Sequence, residues 1–177
     1  MSRRPGAETG ETAGEQTAEP SIVQADLDDP RHRAAILELT RAYARDPMGV
    51  GRDLPDDVQR ELLPRLRAHP ASLVFLAFDG DRAVGLATCF IGLSTFAARP
   101  LLNIHDLYVA GGERGRGLGR RLLEAVEVKA RALGCCKLTL ETQERNHPAL
   151  RLYERFGFAV AHFDPAAGVV LFRVKAL

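Results

Sequence analysis

Leu107-Tyr108-Val109-Ala110-Gly111-Gly112-Glu113-Arg114-Gly115-Arg116-Gly117-Leu118-Gly119-Arg120-Arg121-Leu122-Leu123 is the stretch on which the fold turns. Its apolar start completes a predicted strand over residues 102–109. Its end opens an amphipathic helix, in which Leu118, Leu122, Leu123, Val126 and Ala130 recur along one stripe. Gly134 stands where a helix C-terminus favours glycine. A second strand is predicted over residues 137–142. Strand, helix and strand in this order form a βαβ unit, so the two strands should run parallel.

Working outward, a short strand is predicted at residues 22–25. Asp29-Pro30 then offers an N-cap with proline at the first helical position. Ala35, Ile36, Leu39 and Tyr43 recur at helical spacing as far as Arg45, and Asp46-Pro47-Met48-Gly49 ends that helix. Asp53 is placed to cap a second helix through Val58, Leu62 and Leu66, which Pro64 should shorten or kink. Strands follow at 73–78 and 83–93, joined by Asp79-Gly80-Asp81. After the βαβ unit come a helix at 148–156, ended by Gly157, and two closing strands at 158–163 and 169–174. The expected fold class is α/β (α+β), one mixed sheet flanked by about four helices. Residues 1–20 contain no large apolar side chain after Met1 and are expected to be a disordered tail. Residues 21–177 then make a single domain.

The bulk composition excludes several classes. A net charge of +1 gives no electrostatic reason for a nucleic-acid or membrane partner. No apolar run approaches the roughly 20 residues of a membrane span. No apolar signal core stands at the N-terminus, and Cys89, Cys135 and Cys136 have neither zinc-site nor disulfide-framework spacing. The expected location is cytoplasmic, with reduced thiols. The positive charge is nearly all arginine, since Lys129, Lys137 and Lys175 are the only lysines.

The glycine-rich loop carries the chemistry. The first N–H groups of a helix lack intrahelical partners and lie at the positive end of its dipole. Gly115, Gly117 and Gly119 permit close backbone approach and positive φ. Arg114, Arg116, Arg120 and Arg121 add forked donors suited to phosphate. Together they form a pyrophosphate cradle. Neither nucleotide fingerprint fits: the glycines run Gly-x-Gly-x-Gly before Arg120, and no Gly-Lys-Ser/Thr occurs.

At this point the sequence resembles the GNAT superfamily of N-acetyltransferases. Their loop, Arg/Gln-x-x-Gly-x-Gly/Ala after a strand ending Leu-x-Val, is matched by Leu107-Tyr108-Val109 and by Arg114 to Gly119. Their second block, an Asn followed by a Tyr-bearing helix ending Gly-Phe, is matched by Asn146, Tyr153 and Gly157-Phe158. The resemblance covers residues 73–172. It implies a mostly antiparallel sheet of six to seven strands with a central parallel pair. It implies acetyl-CoA as cofactor, its pantetheine arm paired with the backbone of Leu107, Tyr108 and Val109. Arg114, Gly115, Arg116, Gly117, Leu118, Gly119 and Arg120 would hold its pyrophosphate. Asn146 would contact the pantetheine or else cap its helix, and Tyr153 would donate a proton to the leaving thiolate. Asn146 and Tyr153 lie seven residues apart, close to two helical turns, so both can face one groove.

An ammonium acceptor must lose a proton before it attacks a thioester. Two candidates sit in the strand before the loop. His105 has the resting pKa of about 6.5 that suits a base. Asp106 could instead bind a cationic substrate or orient a water. Strict alternation sets them on opposite faces, and a β-bulge would change that parity. His32, His69, His147 and His162 are assigned no chemistry.

The resemblance places the acceptor pocket at residues 46–53 and 94–100. Asp46, Asp53, Asp56 and Asp57 make the first of these acidic, as attraction of a cation or helix capping would require. The favoured activity is acetylation of a small-molecule primary amine. Acetylation of a protein N-terminus or lysine, and a non-catalytic acyl-CoA-binding module, are the alternatives. Action on charged tRNA is disfavoured by the absence of a basic face. By analogy with relatives, the strand at 169–174 could pair two copies into a homodimer.

Overall fold

The computed structural model describes residues 19–161, 166 and 170–175. The expected tail at 1–20 lies almost wholly outside them. Strand β1 (Ser21–Gln24) is followed by helices α1 (Pro30–Arg45) and α2 (Asp56–Ala68). Strands β2 (Ser72–Asp79), β3 (Arg82–Ser94) and β4 (Arg99–Val109) come next, then helix α3 (Leu118–Ala132), strand β5 (Leu138–Leu140) and helix α4 (His147–Phe156). The five strands form one sheet in chain order, antiparallel except for the β4–β5 pair.

The sheet is covered on both faces, which is why β2 and β3 are long runs of apolar residues. On one face α3 buries Leu118, Leu122, Leu123, Val126 and Ala130 against Phe75, Ala77, Val84, Ala87, Leu102 and Ile104. On the other, α1 and α2 bring Ile36, Leu39 and Leu66 onto Val74, Leu76, Phe78, Leu86 and Tyr108. Each fully buried leucine contributes roughly 1.5–3 kcal/mol of transfer free energy. Those in α3 hold the helix start against the end of β4.

Four expectations change. α2 starts at Asp56, with Pro55 and not Asp53 at its cap position. Asp53 instead takes guanidinium bonds from Arg41, at 2.7 Å, and Arg45, at 2.8 Å, which hold its carboxyl well below the usual range. Pro64 lies inside α2 without ending it; Arg60 and Pro64 are both exposed, so the helix turn that lacks an N–H donor lies on the solvent side. The closing strands at 158–163 and 169–174 fall partly outside the described residues. Their described parts, 158–161 and 170–174, are not in strands, so the described sheet has five strands where six to seven were expected. One bond, from Val170 N–H to the Ala161 carbonyl at 3.3 Å, is too little to make a ladder. β5 is also shorter than expected, for a reason that matters to the site.

Candidate active site

β4 and β5 pair only at Leu102↔Leu138, Asn103↔Thr139 and Ile104↔Leu140. Beyond Ile104 the two strands part. The β5-facing edge of β4 from His105 to Val109 is therefore left without a strand, an opening whose backbone groups can pair with a ligand, apart from the Val109 carbonyl, which accepts from Arg114. Leu107, Tyr108 and Val109, predicted as pantetheine-binding, line this edge. The three-residue length of β5 is the consequence of that divergence.

A β-bulge sits at the start of the opening. Thr88 pairs with Asp106 and Cys89 with Ile104, so His105 is the extra residue. The bulge resets the alternation. Leu107 and Val109 pack toward α3, and Tyr108 toward α1. The His105 ring lies 5.5 Å from Phe90, which belongs to the α1–α2 side. His105 therefore shares that side with Asp106 and Tyr108, contrary to strict alternation. His105 is exposed. The Asp106 carboxyl is pushed up by burial, and the His105 charge and a hydrogen bond from Thr88 only partly oppose this.

Two tyrosines face the same region. Tyr43, at the end of α1, lies tilted against Tyr108 with ring centroids 5.7 Å apart. Its phenol is raised by burial and by the charges of Asp106 and Asp46. Tyr153, on α4, is pushed up to about 12, mainly by burial and secondarily by Tyr43. Its ring contacts Phe158 at 5.8 Å. Sequence reasoning took Tyr43 for a plain core position and overlooked Thr88. Tyr43 fits an ordinary apolar stripe, and only the packing shows its hydroxyl end to be near two carboxylates.

The loop departs from expectation in the use of its side chains. Glu113, buried beneath it, accepts from Arg82 and Arg116, and Arg116 also bonds Asp79 at 2.8 Å. Arg114 donates Nε–H to the Val109 carbonyl at 3.0 Å and pairs with Asp46. Arg120 pairs with Glu124 one turn along α3 at 2.8 Å. These three arginines hold the loop and helix in shape through their carboxylate and carbonyl partners. The first helical bond runs from Arg121 N–H to the Gly117 carbonyl, and the N–H groups of Leu118, Gly119 and Arg120 precede it.

The three loop glycines divide in role. Gly115 and Gly117 have φ of +82° and +79°, and a Cβ on either would meet nothing within 4 Å. Their backbone is left-handed beside open space. Gly119 is an ordinary helical residue whose Cβ would stand 3.0 Å from Leu152 Cδ2. It lets α3 and α4 approach, which brings Tyr153 up to the opening. Gly117→Ala should lower unfolding free energy by about 1–2 kcal/mol in a denaturant titration, because left-handed φ is costly for alanine even where space is free.

Asn146 caps α4 by accepting from Ala149 N–H at 3.4 Å, which is the alternative that its sequence position left open. In the α1–α2 connection, burial raises the Asp46 carboxyl, but the Met48 N–H and Arg114 outweigh it and the net shift is downward. Gln143 donates to the Met48 carbonyl at 3.0 Å, tying the α1–α2 connection to the loop after β5. No helix among the described residues is long and apolar enough to cross a membrane, and no cluster there could hold a metal ion.

The family model described as the acetyltransferase (GNAT) family matches residues 35–158. Streptothricin acetyltransferase of Streptomyces lavendulae is 37% identical over 99 residues, covering 56% of this chain and 50% of that protein, so the chain spans half of this relative's length. A solved structure described as a probable acetyltransferase superposes with a TM-score of 0.74 at 23% identity, covering 89% of this chain and 99% of that one. AAC(6')-Iy, solved with the bisubstrate analogue CoA-S-monomethyl-acetylneamine, superposes with a TM-score of 0.69 at 18% identity, covering 90% and 100%. The matched segment contains the parted strands, the glycine loop and the tyrosine helix, and on that ground the chain belongs to the GNAT family of acetyltransferases.

Proposed function

We propose that this protein transfers the acetyl group of acetyl-CoA to a primary amine of a small molecule. The observation that carries this reading is the parting of β4 from β5 after Ile104. The unpaired edge opens beside Asp106, runs past Tyr153 and ends at the α3 N-terminus. The free N–H groups of Leu118, Gly119 and Arg120, with the open space beside Gly115 and Gly117, suit a pyrophosphate. The backbone of Leu107, Tyr108 and Val109 suits the amides of pantetheine.

Bound there, acetyl-CoA supplies an activated thioester carbonyl. Asp106, raised toward neutrality by burial, takes the proton of the acceptor ammonium. The amine nitrogen bonds to the acetyl carbon as the carbon–sulfur bond breaks. Tyr153, still protonated at neutral pH because burial pushes its pKa up to about 12, passes its proton to the departing sulfur, and its phenolate takes the second proton that the acylated nitrogen sheds. The streptothricin acetyltransferase relative supports a small-molecule acceptor. The free thiols of Cys89, Cys135 and Cys136 suit the reducing cytoplasm.

Acetyl-CoA at about 100 times its Kd should stabilise the fold by about 2.7 kcal/mol and raise the melting temperature accordingly. An unchanged melting curve at saturating cofactor would remove the donor assignment. Release of free thiol with a panel of amines, streptothricin and neamine included, then tests transfer itself.

A further inference from the structure

Outside the parted strands, a cavity of about 420 Å³ lies between α2 and the sheet, within the roughly 300–1,000 Å³ range of small-molecule sites. Its apolar lining is Val58, Leu62, Leu66 and Phe90. Asp57, Glu61 and Arg65 follow one another at helical spacing along its rim, and Arg65 pairs with Glu61 at 3.2 Å. Two acids and one arginine leave the rim with one net negative charge. Asp57 has no ion pair among the described residues.

The cavity is joined to β4 by a chain of edge-to-face ring contacts. His69 meets Phe90 edge-on at 5.1 Å, and Phe90 meets His105 edge-on at 5.5 Å. His105 is the bulge residue next to Asp106. A molecule whose amine stood at Asp106 could thus lay its remaining atoms along His105 and Phe90 toward α2. Apolar walls favour an apolar body, and the acidic rim rejects anions and favours cations.

Resting on the transferase reading above, we propose that the α2–β3 cavity is the acceptor's second subsite. It takes the aryl or branched-alkyl body of an amphipathic amine whose reactive nitrogen lies at Asp106. The site therefore selects against an acceptor that is polar throughout, even if it carries the same primary amine.

The test compares 2-phenylethylamine with ethanolamine, which share an aminoethyl group and differ in their bodies. Calorimetric titration into the protein saturated with coenzyme A should give a Kd for 2-phenylethylamine lower by about tenfold or more, as burial of a phenyl ring implies. Val58→Trp fills the cavity from its exposed lip and should shrink that ratio to about threefold or less, with the coenzyme A affinity unchanged. The chain contains no other tryptophan, so blue-shifted emission reports that the indole has entered the cavity. Asp57→Lys reverses the rim charge without touching the apolar wall and should weaken 2-phenylethylamine by about threefold. Equal binding of the two amines by the wild type, or an undiminished ratio in both variants, overturns the subsite. Binding of 2-phenylethylamine as expected, but without thiol release from acetyl-CoA, would instead overturn the transferase reading.

Discussion

Tyr153→Phe should lower turnover by about 100-fold, the scale of a lost general acid, while leaving the acetyl-CoA melting shift nearly intact. The ring of Tyr153 packs against the α3-side core and meets Phe158 at 5.8 Å. Phenylalanine retains both contacts, so the change is confined to the hydroxyl. Burial keeps that hydroxyl protonated, with a pKa near 12. It therefore has a proton to give throughout the neutral range. A group that acts only as the carbon–sulfur bond breaks should affect kcat and not the Kd of the donor. Steady-state thiol release and thermal unfolding with acetyl-CoA separate the two. Unchanged turnover would show that the thiolate leaves without help from Tyr153.

Asp106→Asn should act in opposite directions on activity and stability. As the proton acceptor, Asp106 should contribute on the order of 100-fold to turnover. Its effect on stability follows from the raised pKa. Below its ordinary value of 3.8 the carboxyl is protonated in both folded and unfolded chains, and it imposes no charge penalty. As pH rises, the unfolded chain ionises first, so stability falls until the pH passes the higher folded pKa. Asparagine does not titrate and can retain the contact with Thr88. The variant should therefore melt at a higher temperature than wild type at pH 7, and the gain should vanish as pH approaches 3.8. A variant less stable than wild type at pH 7 would show that Asp106 is held as a favourable carboxylate. An active variant would return the proton to His105 or to water.

Much of this arrangement is legible in the amino-acid sequence. The helix stripe from Leu118 to Ala130, the hairpin turn at Asp79-Gly80-Asp81 and the cap at Asp29 are local signals, set by spacing and by residues with strong backbone preferences. Asp53 was misassigned because a cap and an ion-pair partner have the same sequence signature, and the choice depended on where Arg41 and Arg45 came to lie. His69 was set aside as a scattered histidine, and it gained a context only when α2 packed over Phe90.

The sequence by itself determined the βαβ unit, the loop that opens α3 and the residues near it, because each rests on periodicity or on what glycine and proline permit locally. Tertiary structure alone decided what those residues face. The bulge at His105 set His105 and Asp106 on one side of the sheet, since register depends on the partner strand. Two carboxylates from distant segments, Asp46 and Asp79, together with the loop's own Glu113, claimed Arg114 and Arg116. Gly119, indistinguishable in sequence from Gly115 and Gly117, was assigned to helix packing by a leucine thirty-three residues away.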